Sequence, residues 1–365
     1  MPIHLYLLSF IPALAVAAAI SFGGLWLALP PALIWIFVPL ADHFGGEEKR
    51  WGDGVGDAPR WAYQGLVMAW APVQLGLMVW GIQVALDSAA ASTGAPWQAA
   101  LLIADLGILA GATGINFAHE MMHRTGRTER ALAELLMASV TYPWFCTEHV
   151  YGHHKRVATA DDPATSRLGE SLYAFLPRAM VGGFRSAFDI ERARLAKRGR
   201  GMWHPTSRIL RGTLTLVALY GAAFMWRGLP GMAAVGGIGL VAVLLLETIN
   251  YIEHYGLVRQ EQTGADGRQR PEKVRPHHSW NSSHRVSNFM LINLARHSDH
   301  HAHAARSWEQ LRHLDDSPQM PSGYGAMVLL SFVPPLWFMV MDPRVAAWRA
   351  NFHVDSEDIE PAPMT

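Results

Sequence analysis

Cysteine is almost missing from this chain: Cys146 is the single example in 365 residues. That excludes an intrachain disulfide and a thiolate metal cluster, and nothing points to an oxidising compartment. Charge is scarce as well. Only 16% of residues are charged, where a soluble domain usually carries about a quarter, so much of the surface is expected to face lipid. The charges that remain cancel, 30 basic against 30 acidic, which removes the case for a nucleic-acid partner. No basic residue precedes the first apolar run, 3–20, and no convincing cleavage site follows it. It reads as a retained membrane helix rather than a signal peptide.

What the chain has instead is long apolar runs. Six are long enough to span a bilayer, which takes roughly 20 residues: 3–22, 25–43, 61–86, 97–118, 209–227 and 229–252. The first two are joined by a short Phe22-Gly23-Gly24 turn. A seventh run, 325–341, contains Pro334-Pro335 and reads as an interfacial or re-entrant piece. Loop charge tests the count. Lys49, Arg50 and Arg60 mark the 44–60 loop, and 119–208 and the tail from 253 are rich in arginine. The turns near 23, 87–96 and 228 are nearly bare. Basic loops lie on the cytoplasmic side, and six spans put every basic loop there, with both termini. The expectation is an all-α membrane protein, one domain over 1–365, with six transmembrane helices. Segments 119–208 and 253–345 form its cytoplasmic histidine-rich part, and 354–365 reads as a disordered tail.

Histidine is the anomaly, 18 in all. Nine fall into four groups: His119 and His123; His149, His153 and His154; His254 alone; and His297, His300 and His301. Spacings of three, four and five place imidazoles on one side of a helix, where they can converge. Isolated histidines are ordinarily surface or core residues, but three clusters and a lone member on one expected side of a membrane suggest a centre. Nine imidazoles exceed the four ligands of a structural zinc and suit two metals, one with five and one with four. Ligand type alone leaves zinc, copper, iron and nickel open. Each group has an acid beside a histidine: Glu120, Glu148, Glu253 and Asp299. Adjacent helix positions diverge by about 100°, so these acids are expected to accept the free ring N–H of a histidine on another helix. Glu247, Asn250 and His254 form one helical stripe, and Asp105, Asn116, His119 and His123 another. Polar groups within a membrane usually face the bundle interior. Both stripes should therefore meet where the bundle reaches the cytoplasm.

These motifs resemble the integral-membrane alkane hydroxylases of the fatty-acid desaturase-like superfamily. The matching stretches are HEMMH (119–123), EHVYGHH (148–154), NYIEHYGL (250–257) and LARHSDHH (294–301). The third is characteristic of the alkane hydroxylase branch. Arg124, and the sequence NSSH at 281–284, depart from the Lys and NSNH of many relatives. The resemblance implies a cytoplasmic diiron domain: two non-haem iron ions held by the nine histidines, activating O2 to hydroxylate the terminal methyl of an n-alkane. It implies electrons from a rubredoxin, supplied by a reductase upstream, in a bacterial-type inner membrane. It also implies that a bulky residue on the second helix limits chain length. Trp35 and Phe37 are the candidates, with Glu247 and Asn250 expected along the channel. Arg124, Arg127, Arg156, Arg275 and Arg306 cluster near the histidines and are expected to attract an acidic donor. The rival readings are a xylene- or terpene-type methyl monooxygenase, an acyl desaturase, and an intramembrane zinc protease using His119, Glu120 and His123.

Overall fold

The computed structural model describes residues 2–49, 57–91 and 95–352. The expected disordered tail, 354–365, and Arg50 of the first basic loop lie outside the described residues. Backbone polar groups find no water inside a bilayer, so an apolar run must close its hydrogen bonds within itself. The first four runs do so as α1 (Ile3–Phe22), α2 (Gly24–Gly45), α3 (Arg60–Ala90) and α4 (Pro96–Met122). Next come α5 (Arg127–Ser139), the short α6 (Phe145–Glu148) continued by a π-helical turn at His149–His153, and α7 (Leu172–Ala196). The long α8 (Arg208–His254) follows. An antiparallel hairpin, β1 (Glu261–Thr263) with β2 (Gln269–Pro271), leads to the last four helices. These are α9 (Arg285–Met290), α10 (His297–Ala302), α11 (Tyr324–Ser331) and α12 (Pro334–Phe352). Helices α1, α2, α3, α4 and α8 are long and apolar enough to cross a membrane. The chain is a multi-pass membrane protein.

Two turns depend on glycine. Gly23 and Gly24 have φ of 59° and 54°, a left-handed region that glycine enters without steric cost, and they close the α1–α2 hairpin. Gly228, at φ 63° and ψ −153°, interrupts α8. A Cβ on Gly231 would lie 2.5 Å from the carbonyl oxygen of Ala223, whereas eight residues of straight helix span about 12 Å. Helix α8 therefore folds back into two apolar arms, matching the last two runs expected from the sequence. The seventh run does not join the long apolar helices: the break before Pro334 divides it between α11 and α12.

Helix α4 is the most enclosed of the long helices, with 61% of its most apolar stretch buried, and α2 the least, with 17%. Gly107 and Gly111 let α4 and α8 touch. A Cβ on Gly111 would stand 2.8 Å from the Cα of Ala242, and one on Gly107 would stand 2.6 Å from Val241. Small residues four apart are a common device for close helix contact in membranes. Here they draw together the helices that carry His119 and His254. A second apolar cluster fastens α12 beside His254: Tyr251, Tyr255 and Trp337 lie with ring centres 5.1–5.5 Å apart. Such aromatic pairs contribute about 0.5–1.5 kcal/mol each beyond burial.

Candidate metal centre

Helix α4 runs on past its apolar stretch and carries His119, with His123 closing its last turn. The π turn at His149–His153 widens the helical step, so His149 faces one group and His153, with its own neighbours, the other. His254 is the last residue of α8, and α10 supplies His297, His300 and His301. Two consecutive left-handed residues, Ile292 (φ 46°) and Asn293 (φ 59°), turn the chain just ahead of α10. Positive φ is uncommon for a β-branched residue and is tolerated where the surroundings enforce it. Asn293 is anchored there by donating to the Tyr6 hydroxyl at 2.7 Å.

The nine imidazoles separate into two groups. His119, His123, His149, His154 and His300 form one; His153, His254, His297 and His301 form the other. Within each group the candidate ligand atoms lie within 4.8 Å of one another. Two nitrogens on opposite sides of one ion are about 4 Å apart, so each group has the dimensions of a single-ion site. In the first group Nε2 of His149 is 2.7 Å from that of His119 and 3.0 Å from that of His154, which is 3.2 Å from that of His300. In the second, Nε2 of His297 is 2.8 Å from that of His301 and 3.3 Å from that of His254. The sequence neighbours His153 and His154 belong to different groups, and the rings of His154 and His301 stack across the divide at 4.4 Å.

Would a metal fit? One ring N–H can serve a single neighbour, yet Nε2 of His149 faces two. Nε2 of His123 and of His153 are buried with no hydrogen-bond partner among the described residues. Leaving a buried nitrogen unpaired costs about 1–3 kcal/mol, and converging lone pairs repel. A cation removes both penalties. Burial, first of all, holds His123, His149, His154, His297, His300 and His301 well below the usual imidazole range. They are therefore neutral at neutral pH, the form that ligates. An all-imidazole donor set suits a first-row transition metal rather than calcium or magnesium. The residues fit a non-haem di-metal centre.

The acids behave differently from the sequence expectation. Glu120 pairs with Arg124 at 2.6 Å and accepts from the Trp308 backbone. Glu148 takes Arg156 at 2.7 Å, the Ser186 hydroxyl and the His153 backbone N–H. Asp299 binds Arg306, Arg312 and the non-cluster His303. None of these three is bonded to an imidazole of the nine: a guanidinium within reach offers a carboxylate two charge-assisted donors where a neutral ring offers one. Glu253 does reach a ring, but at the nitrogen that faces the other imidazoles rather than at the free one. It lies 3.1 Å from Nε2 of His297 and accepts from the Tyr324 hydroxyl at 2.7 Å. The same pairings correct the electrostatic expectation, since Arg124, Arg156 and Arg306 are spent on internal carboxylates.

Sequence reasoning missed Asp162. His153 donates Nδ1–H to it at 2.8 Å, and both side chains are buried. Burial works to lower the His153 pKa, but the Asp162 carboxylate overcomes it and the net shift is upward. The same pair holds Asp162 below the usual carboxylate range despite burial. This is the carboxylate–histidine arrangement that fixes a ligand's tautomer and aim. The available signal was the Asp161-Asp162-Pro163 turn, eight to nine residues beyond His153.

A third cluster, Glu272, His277 and His278, is not built the same way. Nδ1 of His278 accepts the Arg275 backbone N–H at 3.0 Å, so its hydrogen sits on Nε2 and is donated to Glu272 at 3.2 Å. That ring has no lone pair left for an ion.

An apolar cavity of about 60 Å³ opens beside the centre, between α2, α4, α8, α9 and α11. Trp35 lines it with Ile34, Thr113, Asn116, Ile249 and Met290. Asn116 and Ile249 also line a smaller cavity of about 30 Å³ that reaches His119, His149, His297 and Glu253. Phe37, the other expected plug, is 54% exposed and lines neither space. Asn250 lines the inner cavity. Glu247 lies behind it, accepting from the Tyr142 hydroxyl at 2.7 Å and from Asn250 at 3.1 Å. Asp105 is buried and lines neither cavity. The π turn at Ala110–Gly114 shifts the later residues of α4 round the axis, so the stripe expected from Asp105 to His123 is broken.

The fatty acid desaturase family model matches residues 95–331. The chain is 41% identical over 333 residues to alkane 1-monooxygenase 1 of Pseudomonas aeruginosa, covering 88% of this chain and 84% of that one. It is 37% identical over 339 residues to alkane 1-monooxygenase 2 of the same organism, covering 91% and 87%. The xylene/toluene monooxygenase hydroxylase component XylM of Pseudomonas putida is similar at 27% identity over 355 residues, 95% of this chain and 90% of that one.

Proposed function

This chain belongs to the fatty acid desaturase family and, within it, to the alkane 1-monooxygenases; from that premise we propose that its two metals are iron and that it converts medium- or long-chain n-alkanes to primary alcohols. The reaction consumes one O2, two electrons and two protons, placing one oxygen atom in the alcohol and releasing the other as water. The observation that carries this reading is the meeting of two histidine groups with an apolar cavity. A linear alkane offers no polar handle, so the shape of an apolar passage must aim it.

The irons would be held by His119, His123, His149, His154 and His300 on one side and by His153, His254, His297 and His301 on the other. When bound, they supply the one-electron and oxygen chemistry that an unactivated C–H bond needs and side chains lack. The protein's part is placement. Trp35 lines the outer part of the passage, and Ile249 and Asn116 mark the step from the outer to the inner cavity. Ile115, Phe145, Leu246 and Leu294 wall the inner space and keep water from the reacting methyl. Oε2 of Glu253, beside His297, is the carboxylate oxygen placed to hold a proton there, and Tyr324 orients it. We read the arms of α8 as separate crossings, giving six spans with both termini and the centre on the cytoplasmic face of a bacterial-type inner membrane. Electrons come from a rubredoxin served by a reductase.

The zinc-protease alternative loses its general base, because Glu120 is engaged by Arg124. The resemblance to XylM keeps an aromatic methyl as the second substrate class. Product analysis with octane, hexadecane and xylene decides: 1-alkanols as the dominant products support the proposal. Turnover of xylene alone would move the chain to the aromatic class.

A further inference from the structure

Behind the metal centre lies a second cleft that alkane oxidation does not use. It occupies about 450 Å³ between α5, α6 and the first turn of α8, and Arg127, Arg130, Arg208 and Arg211 line it. One carboxylate shares the lining, Glu134, and Arg211 takes it at 3.0 Å. The guanidinium of Arg208 lies over the Tyr151 ring at 4.1 Å and donates to its hydroxyl at 3.1 Å, with Glu191 4.0 Å away. Arg130 spends Nε on the Arg124 carbonyl. Arg127 is exposed and has no side-chain partner among the described residues. Helices α5 and α8 both begin at this cleft, at Arg127 and Arg208, and helix N-termini favour anions. The cleft thus holds a positive excess that the protein itself does not neutralise.

Its position selects the anion. Arg208 and Arg211 stand where an apolar arm of α8 leaves water. Leu214 and Val217, at successive steps of three from Arg211, are 58% and 62% exposed, and residues three apart are neighbours on a helix surface. An anionic head in the cleft would have an apolar wall running from it into the bilayer. We propose that this cleft binds the phosphate of an anionic phospholipid, with the acyl chains along the first arm of α8. Basic pockets at the ends of membrane helices suit such head groups. Met122, Thr147 and Val150 line the cleft, next to His123 and to either side of His149, so occupancy should brace the segments that carry them.

The test titrates the detergent-solubilised, metal-loaded full chain with phosphatidylglycerol, with phosphatidylcholine of the same acyl chains, and with inorganic phosphate. It reads melting temperature and lipid adducts by native mass spectrometry. Phosphatidylglycerol should saturate at a concentration at least tenfold lower than either of the others. Each arginine near an anionic head contributes about fivefold, so Arg127→Gln should raise the half-saturating concentration about fivefold. Arg127→Gln with Arg130→Gln should raise it roughly 30-fold, with metal content unchanged. Equal saturation by the two lipids, or an unchanged value in both variants, overturns the proposal. Inorganic phosphate matching phosphatidylglycerol would make this a soluble-anion site and also overturn it. So would variants that bind lipid normally but lose turnover only at limiting acidic electron donor, because the cleft would then be a protein-docking face.

Discussion

The two histidine groups use one residue type at similar depth, but they are supported unequally. In the four-histidine group, His153 is held from behind by Asp162, Ser279 Oγ lies 3.5 Å from Nδ1 of His254, and Glu253 stands beside His297. In the five-histidine group, Nδ1 of His119, His149, His154 and His300 is buried without a hydrogen-bond partner among the described residues, as it is for His297 and His301 in the other group. The acids nearest that group, Glu120 and Glu148, answer to arginines instead. His153 is aimed by a carboxylate before any ion arrives, whereas among the described residues no ring of the five-histidine group has such a partner. A ligand set can thus be dense in imidazole without a matching shell of carboxylates. An acid adjacent in sequence to a ligand is a weak guide to what orients it.

Three experiments with five substitutions would break or sharpen that contrast. The largest effect should come from His149→Ala, because its Nε2 faces both His119 and His154. Losing an outer partner of a ligand already costs 10–100-fold, so losing this ligand should cut hydroxylation by more than about a hundredfold and lower the metal content. Normal product formation by that variant would remove His149 from the centre. The next comparison sets Asp162→Asn against Glu120→Gln. Asp162 acts on a ring, so its loss should weaken metal retention by about 10–100-fold. Glu120 acts on Arg124, so its loss should cost on the order of 1–3 kcal/mol of stability while both metals stay. Equal metal loss in the two variants would erase the distinction. The smallest effect is one of selectivity. Trp35→Ser should lengthen the preferred alkane with oxidation still terminal, graded at roughly 1–3 kcal/mol per methylene, whereas Phe37→Ala should change nothing. Gas chromatography of alcohols from mixed alkanes reads both.

The histidines were legible because helical spacing alone brings them to one side: three clusters and a lone His254 contain all nine members of the two groups. The apolar runs were legible for the same reason, and even the fold-back at Gly228 sits in the short gap between two of them. Asp162 was not, since a loop residue reaches His153 by tertiary packing that no period records. The stripe through Asp105 failed because one π turn changes the helical phase, and the sequence AGATG does not announce it. Phe37 and Trp35 are two residues apart and both aromatic; only the packing of α2 decides which one meets the cavity. The acids were misassigned because arginines four to thirteen residues away outcompete neutral rings for a carboxylate.

Metal content measures most directly whether the two separate histidine groups each hold a redox metal. Elemental analysis of the purified, active protein should give about two irons per chain. Mössbauer or X-ray absorption spectra should show nitrogen-rich coordination at both. An active preparation containing one zinc and no iron, or one iron that survives His149→Ala unchanged, would contradict the account.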